Sequence, residues 1–280
     1  MNIQALPSGY SLSRNEHGVC AIRIGLEEPL RRMMLASQEK LARMPGARRM
    51  PGRARPLSIP IPGTKDRVLV RPYMHGGVLG KLRGRGFSGL GRAFNELIVS
   101  ARAENLGLPV PRMAGFTGRK LRSGKWHLEA WVLLIPGTRD LPSFLAENEL
   151  REPGLSDLLG AVARAIRECH DAGLAHPDLN CRNVIVSAAR DRYQAYLVDL
   201  DKAHFVGRMH VPSRLSQLCR LYRSLAKQNL LPRIISPRDF ERFTSAYFSG
   251  SFRQKHLDVF MSRCRRAVFW HSLAWKKNRR

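Results

Sequence analysis

The sequence predicts a bilobal α+β fold, in which a small lobe holds an antiparallel β-sheet with one helix and a C-terminal lobe is mainly helical. Short apolar runs bounded by turn residues indicate the strands of the small lobe, at 57–61, 67–71, 113–116 and 128–134. Among them, residues 88–106 show the apolar spacing of a helix. The same helical spacing dominates the second half of the chain, at 141–149, 156–171, 214–227 and 237–248.

Composition indicates a folded, strongly basic protein that acts on an anionic partner. Of the 280 residues 44% are hydrophobic, and 48 Lys and Arg against 22 Asp and Glu give a formal net charge of +26. Nucleic acid, phosphorylated lipid and a membrane surface are the candidate partners from charge alone. The five cysteines form no Cys-x-x-Cys pair, which predicts reduced thiols in a cytosolic compartment. The sequence shows no apolar segment typical of a signal peptide or a membrane span.

The first 50 residues are predicted to be an N-terminal extension. They contain one short strand candidate at 19–22 and a basic helix from Glu27 to Met44 with apolar positions spaced for packing. Two Met-Pro-Gly sequences follow, and they predict a boundary near Pro51. On this division the small lobe covers residues 51–134 and the large lobe covers residues 135–280.

Two acidic side chains and one amide stand at the ends of short apolar strands. His176 begins the pattern His-x-Asp-x-x-x-x-Asn, which places Asp178 and Asn183 on one tight loop. The two apolar runs that follow are predicted to pair as a hairpin, with Asp199 at its end beside Asn183. Phosphoryl transfer needs a carboxylate to deprotonate the acceptor hydroxyl and oxygen ligands for Mg²⁺. The pattern therefore predicts a phosphotransferase, with Asp178 as the base and Asn183 and Asp199 as Mg²⁺ ligands.

A simpler interpretation of these residues is structural, because an aspartate at a strand end is often only a turn former. The combination of loop, amide offset, hairpin and second aspartate favours a site over that alternative. Arg182, four positions after Asp178, is predicted to reach the γ-phosphate. We also expect His176 to stabilise the loop through a hydrogen bond to the backbone.

From Gly52 onward the order of turns and strands resembles the small lobe of a kinase, so this lobe is expected to hold ATP. Gly52 lies in a turn that would cover the phosphates, and Arg71 ends the strand that should carry a cation for the α- and β-phosphates. Lys81 is the alternative for this cation, and a guanidinium is not equivalent to an ammonium there. Glu96, 25 residues after Arg71 on the predicted helix, would pair with the cation. The structural alternative makes Arg71 the end of an exposed strand and Glu96 a surface residue.

Three further features predict where adenine binds, what kind of acceptor is used and whether the protein contacts a membrane. The Pro136-Gly137 break is expected to form the hinge between lobes, where backbone groups of Leu133 and Ile135 would be available to adenine. No Ala-Pro-Glu sequence follows Asp201, which favours a small molecule or glycolipid over a peptide as the acceptor. A last helix from about residue 254 combines aromatic residues with Lys/Arg clusters, so we expect it to contact an anionic membrane or, alternatively, to pack on the lobe.

An ordered set of motifs between roughly residues 50 and 225 supports a family resemblance. The motifs are Val68-Leu69-Val70-Arg71-Pro72-Tyr73, Gly76-Gly77, Gly80-Lys81-Leu82, Glu96, Pro109-Val110-Pro111, Ile135-Pro136-Gly137, His176-Pro177-Asp178-Leu179-Asn180 with Asn183, and Val198-Asp199-Leu200-Asp201. Together they resemble the lipopolysaccharide kinase family, and within it the 3-deoxy-D-manno-octulosonic acid (Kdo) kinases.

The resemblance implies a protein-kinase-like fold, ATP and Mg²⁺ as cofactors, and the site roles given above. The acceptor would be a sugar hydroxyl on the Kdo of a lipid A precursor. The protein would be cytoplasmic and bound peripherally to the anionic inner face of the inner membrane, without nucleic acid or an obligate protein partner. Two alternatives remain, a heptose or other small-molecule kinase similar to aminoglycoside phosphotransferases, and an inactive kinase scaffold that binds nucleic acid or membrane.

Overall fold

A computed structural model describes most of the chain and divides it into two units. The described residues are 6–16, 18–51, 54–75, 86–148, 150, 152–189, 192–231, 233–248, 258–264 and 266. Unit 1 comprises Met1–Asn105 with Pro111–Ile135, and unit 2 comprises Leu106–Val110 with Pro136–Arg280. Among the described residues, no helix combines the length and the apolar character needed to cross a bilayer.

Unit 1 is built on a seven-stranded antiparallel sheet with the order β1-β2-β6-β7-β5-β4-β3. Its strands are β1 (Tyr10–Asn15), β2 (Gly18–Arg23), β3 (Arg48–Arg49), β4 (Leu57–Pro60), β5 (Arg67–Pro72), β6 (Met113–Lys120) and β7 (Trp126–Leu133). Its helices are α1 (Glu27–Leu35), α2 (Gln38–Ala42) and α3 (Gly91–Asn105).

Alternation along the strands gives the sheet two apolar faces, because successive side chains point to opposite sides. On one face α3 places Phe94 and Leu97 in a cluster with Phe116 of β6. On the other face α1 places Met34 in a second cluster, which contains the fully buried Trp131 of β7. Helices therefore cover both sides of the sheet.

The prediction that residues 1–50 are an extension is wrong, because this segment supplies β1, β2 and β3 to the sheet. β2 bonds to β6 along its length and buries Cys20 and Ile22 in the cluster around Trp131. β1 is an edge strand in which only Tyr10 is buried, so it lacks the alternation that marks a half-buried strand. The single helix expected from Glu27 to Met44 is two helices, because Ser37 begins α2 by capping it with its side chain.

Unit 2 is mainly helical, as predicted. Its helices are α4 (Leu141–Glu147), α5 (Gly154–Asp171), α6 (Val211–Lys227) and α7 (Pro237–Tyr247). Its strands are β8 (Arg139–Asp140), β9 (Leu174–Ala175), β10 (Val184–Ala189), β11 (Arg192–Leu197) and β12 (His204–Phe205), arranged as β11-β10-β8 and β12-β9. Residues 258–264 are helical, and most of the basic C-terminal helix predicted from residue 254 lies outside the described residues.

A buried polar cluster joins three helices of unit 2. His170, near the end of α5, has its Nδ1 2.6 Å from the Tyr247 hydroxyl of α7 and its Nε2 3.2 Å from Gln217 Oε1 of α6. Since an amide oxygen only accepts, Nε2 carries the proton and Nδ1 accepts from the tyrosine. Burial of the ring lowers the pKa of His170 to about 4.

Gly115 is expected to be indispensable for the pairing of β2 with β6. It lies at a bulge in β6 with φ +152°, and a Cβ there would stand 1.9 Å from the Ala21 carbonyl oxygen. We expect Gly115→Ala to lower the free energy of unfolding by about 2 kcal/mol or more. Gly89→Ala is the control, because no atom lies within 4 Å of its added Cβ. Equal urea midpoints for the two variants would contradict this account.

His170 is expected to make the protein less stable in acid. The unfolded chain takes up a proton near pH 6.5 while the buried ring stays neutral until about pH 4, so its contribution is complete above pH 6.5 and falls between these values. We expect a loss of about 2 kcal/mol from this residue between pH 6.5 and pH 5. In urea denaturation at both pH values, His170→Gln should show a smaller loss than the wild type. Equal losses of unfolding free energy in the two proteins would show that His170 is not the source of the acid sensitivity.

Candidate active site

The loop after β9 is held by hydrogen bonds to its first residue. The backbone N–H of His176 donates to Gln217 Oε1 at 2.8 Å, and the ring Nε2 lies 3.0 Å from the Val198 carbonyl oxygen. Because a carbonyl only accepts, Nε2 is the protonated nitrogen. Burial lowers the pKa of His176, which keeps the ring neutral. The expected bond from His176 to the backbone is thus present, and it ties the loop to the strand that precedes Asp199.

Two amides clamp the backbone of Asp178. The Asp178 carbonyl oxygen accepts from Asn180 Nδ2 and from Asn183 Nδ2, each at 2.9 Å. The Asp178 carboxylate itself is about half exposed. Because Asn183 uses its amide nitrogen for this bond, its Oδ1 is not part of the bond and is a candidate oxygen ligand for a cation. The loop therefore presents one carboxylate and one amide oxygen.

The predicted hairpin brings Asn183 and Asp199 together. β10 and β11 pair antiparallel with Val184 opposite Leu197, and the Val198 N–H donates to the Asn183 carbonyl oxygen at 3.0 Å. Asp199 follows directly, with φ +67° and ψ +57°. This left-handed conformation costs free energy for a residue other than glycine, and such residues are concentrated at functional sites.

One face of α6 lies along the whole loop. Gln217 bonds to His176, the Ser224 Oγ accepts from the Cys181 N–H at 2.8 Å, and Gln228, just after the helix, accepts from Arg182 at 3.0 Å. A further residue of α6, Arg220, has its Nη1 4.0 Å from Asp178 Oδ1. Positions 217, 220, 224 and 228 follow helical spacing, so they form one stripe. We call these four residues the α6 stripe.

The contacts of the α6 stripe were not predicted from the sequence. The segment was predicted only as a helix, at 214–227, which agrees with α6 apart from its first turn. A signal was present in Gln217, a polar residue among the buried Leu215, Leu218 and Leu221 of the same helix. A polar side chain in such a position needs a hydrogen-bond partner in the interior.

Arg182 is exposed, and its Nη2 donates to Gln228 Oε1. Its backbone N–H is bonded to Asn180 Oδ1, which begins the short 3₁₀ turn Cys181–Asn183. The guanidinium is thus held on the side of the loop that faces the end of α6. Its contact with the γ-phosphate stays a prediction.

Unit 1 contains the predicted cation pair. Arg71 Nη2 lies 2.7 Å from Glu96 Oε1, and the Glu96 side chain is almost fully buried. Strand alternation explains the geometry, because Val68 and Val70 point into the cluster around Trp131 and Arg71 points to the face covered by α3. The guanidinium also lies 5.4 Å from the centre of the Tyr73 ring. The alternative that Glu96 is a surface residue is therefore excluded.

The other predicted nucleotide contacts are less well defined. Gly52 and Lys81 lie outside the described residues. The Leu133 N–H donates to the Arg112 carbonyl oxygen at 2.9 Å, and the Leu134 N–H donates to the Arg67 carbonyl oxygen at 2.8 Å. These two N–H groups are therefore already bonded within unit 1. The assignment of Leu133 and Ile135 to adenine stays a prediction for their other backbone groups.

Comparison with known proteins places this geometry in a family. The model of the lipopolysaccharide kinase (Kdo/WaaP) family matches residues 65–247. A 3-deoxy-D-manno-octulosonic acid kinase from Vibrio parahaemolyticus is 32% identical over 184 residues, which cover 63% of this chain and 72% of that protein. The kinase of the same name from Mannheimia succiniciproducens is 30% identical over 166 residues, 57% of this chain and 65% of the relative.

Coverage differs among these relatives. The match to the Actinobacillus succinogenes 3-deoxy-D-manno-octulosonic acid kinase, 29% identical over 137 residues, covers 48% of this chain and only 55% of that protein. The chain thus spans less than two thirds of some relatives that it matches.

A solved structure shares the fold. The structure described as WaaP in complex with acyl carrier protein aligns with a TM-score of 0.56 and 21% identity, over 86% of this chain and 95% of that one. This likeness confirms the predicted α+β, kinase-like fold. Since the family model covers more than half of the chain and the catalytic-loop motif lies within the matched segment, the protein belongs to the lipopolysaccharide kinase (Kdo/WaaP) family.

Proposed function

We propose that the protein transfers the γ-phosphoryl group of ATP to a sugar hydroxyl on the Kdo residue of a lipid A inner core. The observation that carries the proposal is the clamped loop, in which Asn183 bonds both to the Asp178 backbone and to the strand that leads to Asp199. A preorganised base beside oxygen ligands is what phosphoryl transfer requires from a protein.

Asp178 would act as the base. Its carboxylate is accessible to an acceptor hydroxyl, while its backbone is held by two amides. As the hydroxyl oxygen forms a bond to the γ-phosphorus, its proton passes to the Asp178 carboxylate, and the bond from phosphorus to the bridging oxygen breaks to release ADP. Fixing the backbone limits the positions that the carboxylate samples, which favours in-line attack.

Asn183 and Asp199 would hold a Mg²⁺ ion. Both side chains carry oxygen atoms, the ligand type that Mg²⁺ prefers. The bond that Asn183 makes inside the loop uses its amide nitrogen and not its Oδ1. The described residues contain no group of three or more His, Cys, Asp or Glu suited to a metal. Mg²⁺ in phosphotransferases uses one or two protein ligands and completes its shell with phosphates and water. When bound, the ion would offset the negative charge of the phosphates.

Arg71 would bind the α- and β-phosphates in unit 1. The Glu96 carboxylate bonds to its guanidinium, and a guanidinium carries five N–H donors in a fixed planar fork. Arginine in place of lysine gives this cation a planar fork suited to two phosphate oxygens at once. The pair thus supports ATP as the donor.

The acceptor assignment rests on the names of the relatives and on charge. The Vibrio and Mannheimia relatives are 3-deoxy-D-manno-octulosonic acid kinases, and a Kdo-bearing lipid A carries phosphates and a sugar carboxylate. A net charge of +26 favours this polyanion. The same charge supports peripheral binding at the anionic cytoplasmic face of the inner membrane.

A product assay tests the reaction and the acceptor together. We expect the purified protein with Mg²⁺-ATP to add the mass of one phosphoryl group to Kdo-bearing lipid A and to leave lipid A without Kdo unchanged. Absence of product on the Kdo lipid would overturn the proposed acceptor. A product on a heptose-bearing acceptor alone would then assign the protein to the heptose kinase alternative.

Loss of the Asp178 base is expected to slow transfer without loss of ATP binding. Asp178→Asn keeps the shape of the side chain and removes its basicity, so we expect kcat to fall by about 10²-fold or more. Asp157→Asn is the matched control, because Asp157 is exposed in the first turn of α5. ATP should raise the thermal midpoint of both variants equally. Undiminished turnover in Asp178→Asn would remove the base assignment.

A further inference from the structure

In addition to Arg182, a second arginine of unit 2, Arg220, lies beside the proposed base Asp178. Arg220 Nη1 lies 4.0 Å from Asp178 Oδ1, and the two side chains are 47% and 48% exposed. This distance exceeds that of a hydrogen bond, and an ion pair so open to water is weak. The contact therefore does not commit the guanidinium to Asp178, and a guanidinium has five N–H donors with which to bind another group.

The position of Arg220 is fixed more firmly than its side chain. It lies on the α6 stripe between Gln217 and Ser224, both of which are hydrogen-bonded to the backbone of the catalytic loop. These two bonds set how α6 lies along the loop, so the backbone of Arg220 is held opposite Asp178. A guanidinium at this place can turn toward a ligand without movement of the helix.

Neighbouring charges make this part of unit 2 attractive to an anion. Arg182 is exposed on the loop and donates to Gln228 of the α6 stripe. Asp178 contributes one negative charge beside Arg182 and Arg220. An arginine next to a base would raise no barrier to a neutral sugar, but it adds a specific partner for a carboxylate or phosphate.

We propose that Arg220 binds an anionic group of the acceptor, a carboxylate or a phosphate, while Asp178 receives the proton of the acceptor hydroxyl. The inference rests on the proposed function and adds a residue that selects acidic acceptors. A sugar acid carries its carboxylate and its hydroxyls on one ring, so the two side chains would bind two groups of the same sugar. Arg220 then orients the hydroxyl for in-line attack.

The test compares Arg220→Ala with the wild type on Kdo-bearing lipid A. We expect KM for this acceptor to rise about 10- to 100-fold, as for loss of a hydrogen-bonded charge, while KM for ATP stays unchanged. Arg220→Lys should fall between them, because it keeps the charge without the fork. Arg208→Ala is the control, since Arg208 is exposed in the loop before α6 and carries the same charge.

Modified acceptors identify the anionic group. If it is the sugar carboxylate, its methyl ester should raise KM for the wild type as much as the alanine substitution does, and Arg220→Ala should show no further loss. If it is a phosphate of the lipid, dephosphorylated Kdo-lipid should give this result instead. Either pattern supports the inference, because the effects of protein and acceptor changes are then not additive.

Other outcomes overturn the inference. Equal losses by Arg220→Ala on the native, esterified and dephosphorylated acceptors would mean that Arg220 acts on Asp178 and not on the acceptor. A fall in kcat with a displaced pH profile and an unchanged acceptor KM would lead to the same conclusion. Wild-type activity on the native lipid shows that the proposed function holds in both cases. Failure of the wild type on every acidic acceptor would overturn the proposed function, and this inference with it.

Discussion

The hydrogen bond from the His176 N–H to Gln217 is the contact on which the catalytic loop depends. It sits at the start of the loop, and Gln217 Oε1 is shared with His170, which bonds in turn to Tyr247. Loss of the Gln217 Oε1 acceptor would lower the free energy of unfolding substantially, because two buried donors would be left without a hydrogen bond. The position of the proposed base is therefore set by the packing of three helices as well as by its own loop.

The sequence contained most of the local geometry of the site. Offsets within one loop are short, so the spacing of Asp178 and Asn183 was enough to predict that they converge, and the hairpin register extended this to Asp199. The α6 stripe could not be predicted in the same way. Its contacts join residues 41 to 46 positions apart, and helical periodicity tells which side of α6 is buried but not which loop covers it.

In the fold as well, local patterns were predictable from the sequence and long-range pairing was not. Buried strands such as β5 alternate and were recognised, whereas β1 is a polar edge strand that is stabilised by pairing with β2 and was missed. The Arg71–Glu96 pair was predictable because strand alternation and helix spacing each restrict one partner to a single face. The burial of this pair could not be predicted, because it depends on how closely α3 packs on the sheet. Arg71 lies at hydrogen-bond distance from this buried carboxylate, and a buried charge without a partner would be strongly destabilising.

Asp199 has a backbone conformation that costs free energy, and bonds from the catalytic loop hold the residue before it. Its left-handed backbone is unfavourable for an aspartate, and isolated it would relax. Val198, the residue before it, is held through both of its backbone polar groups, because its N–H donates to the Asn183 carbonyl oxygen and its carbonyl oxygen accepts from the His176 ring. Both bonds originate in the loop that α6 supports. The free-energy cost of the Asp199 backbone is thus offset by contacts from the same loop that carries the proposed base.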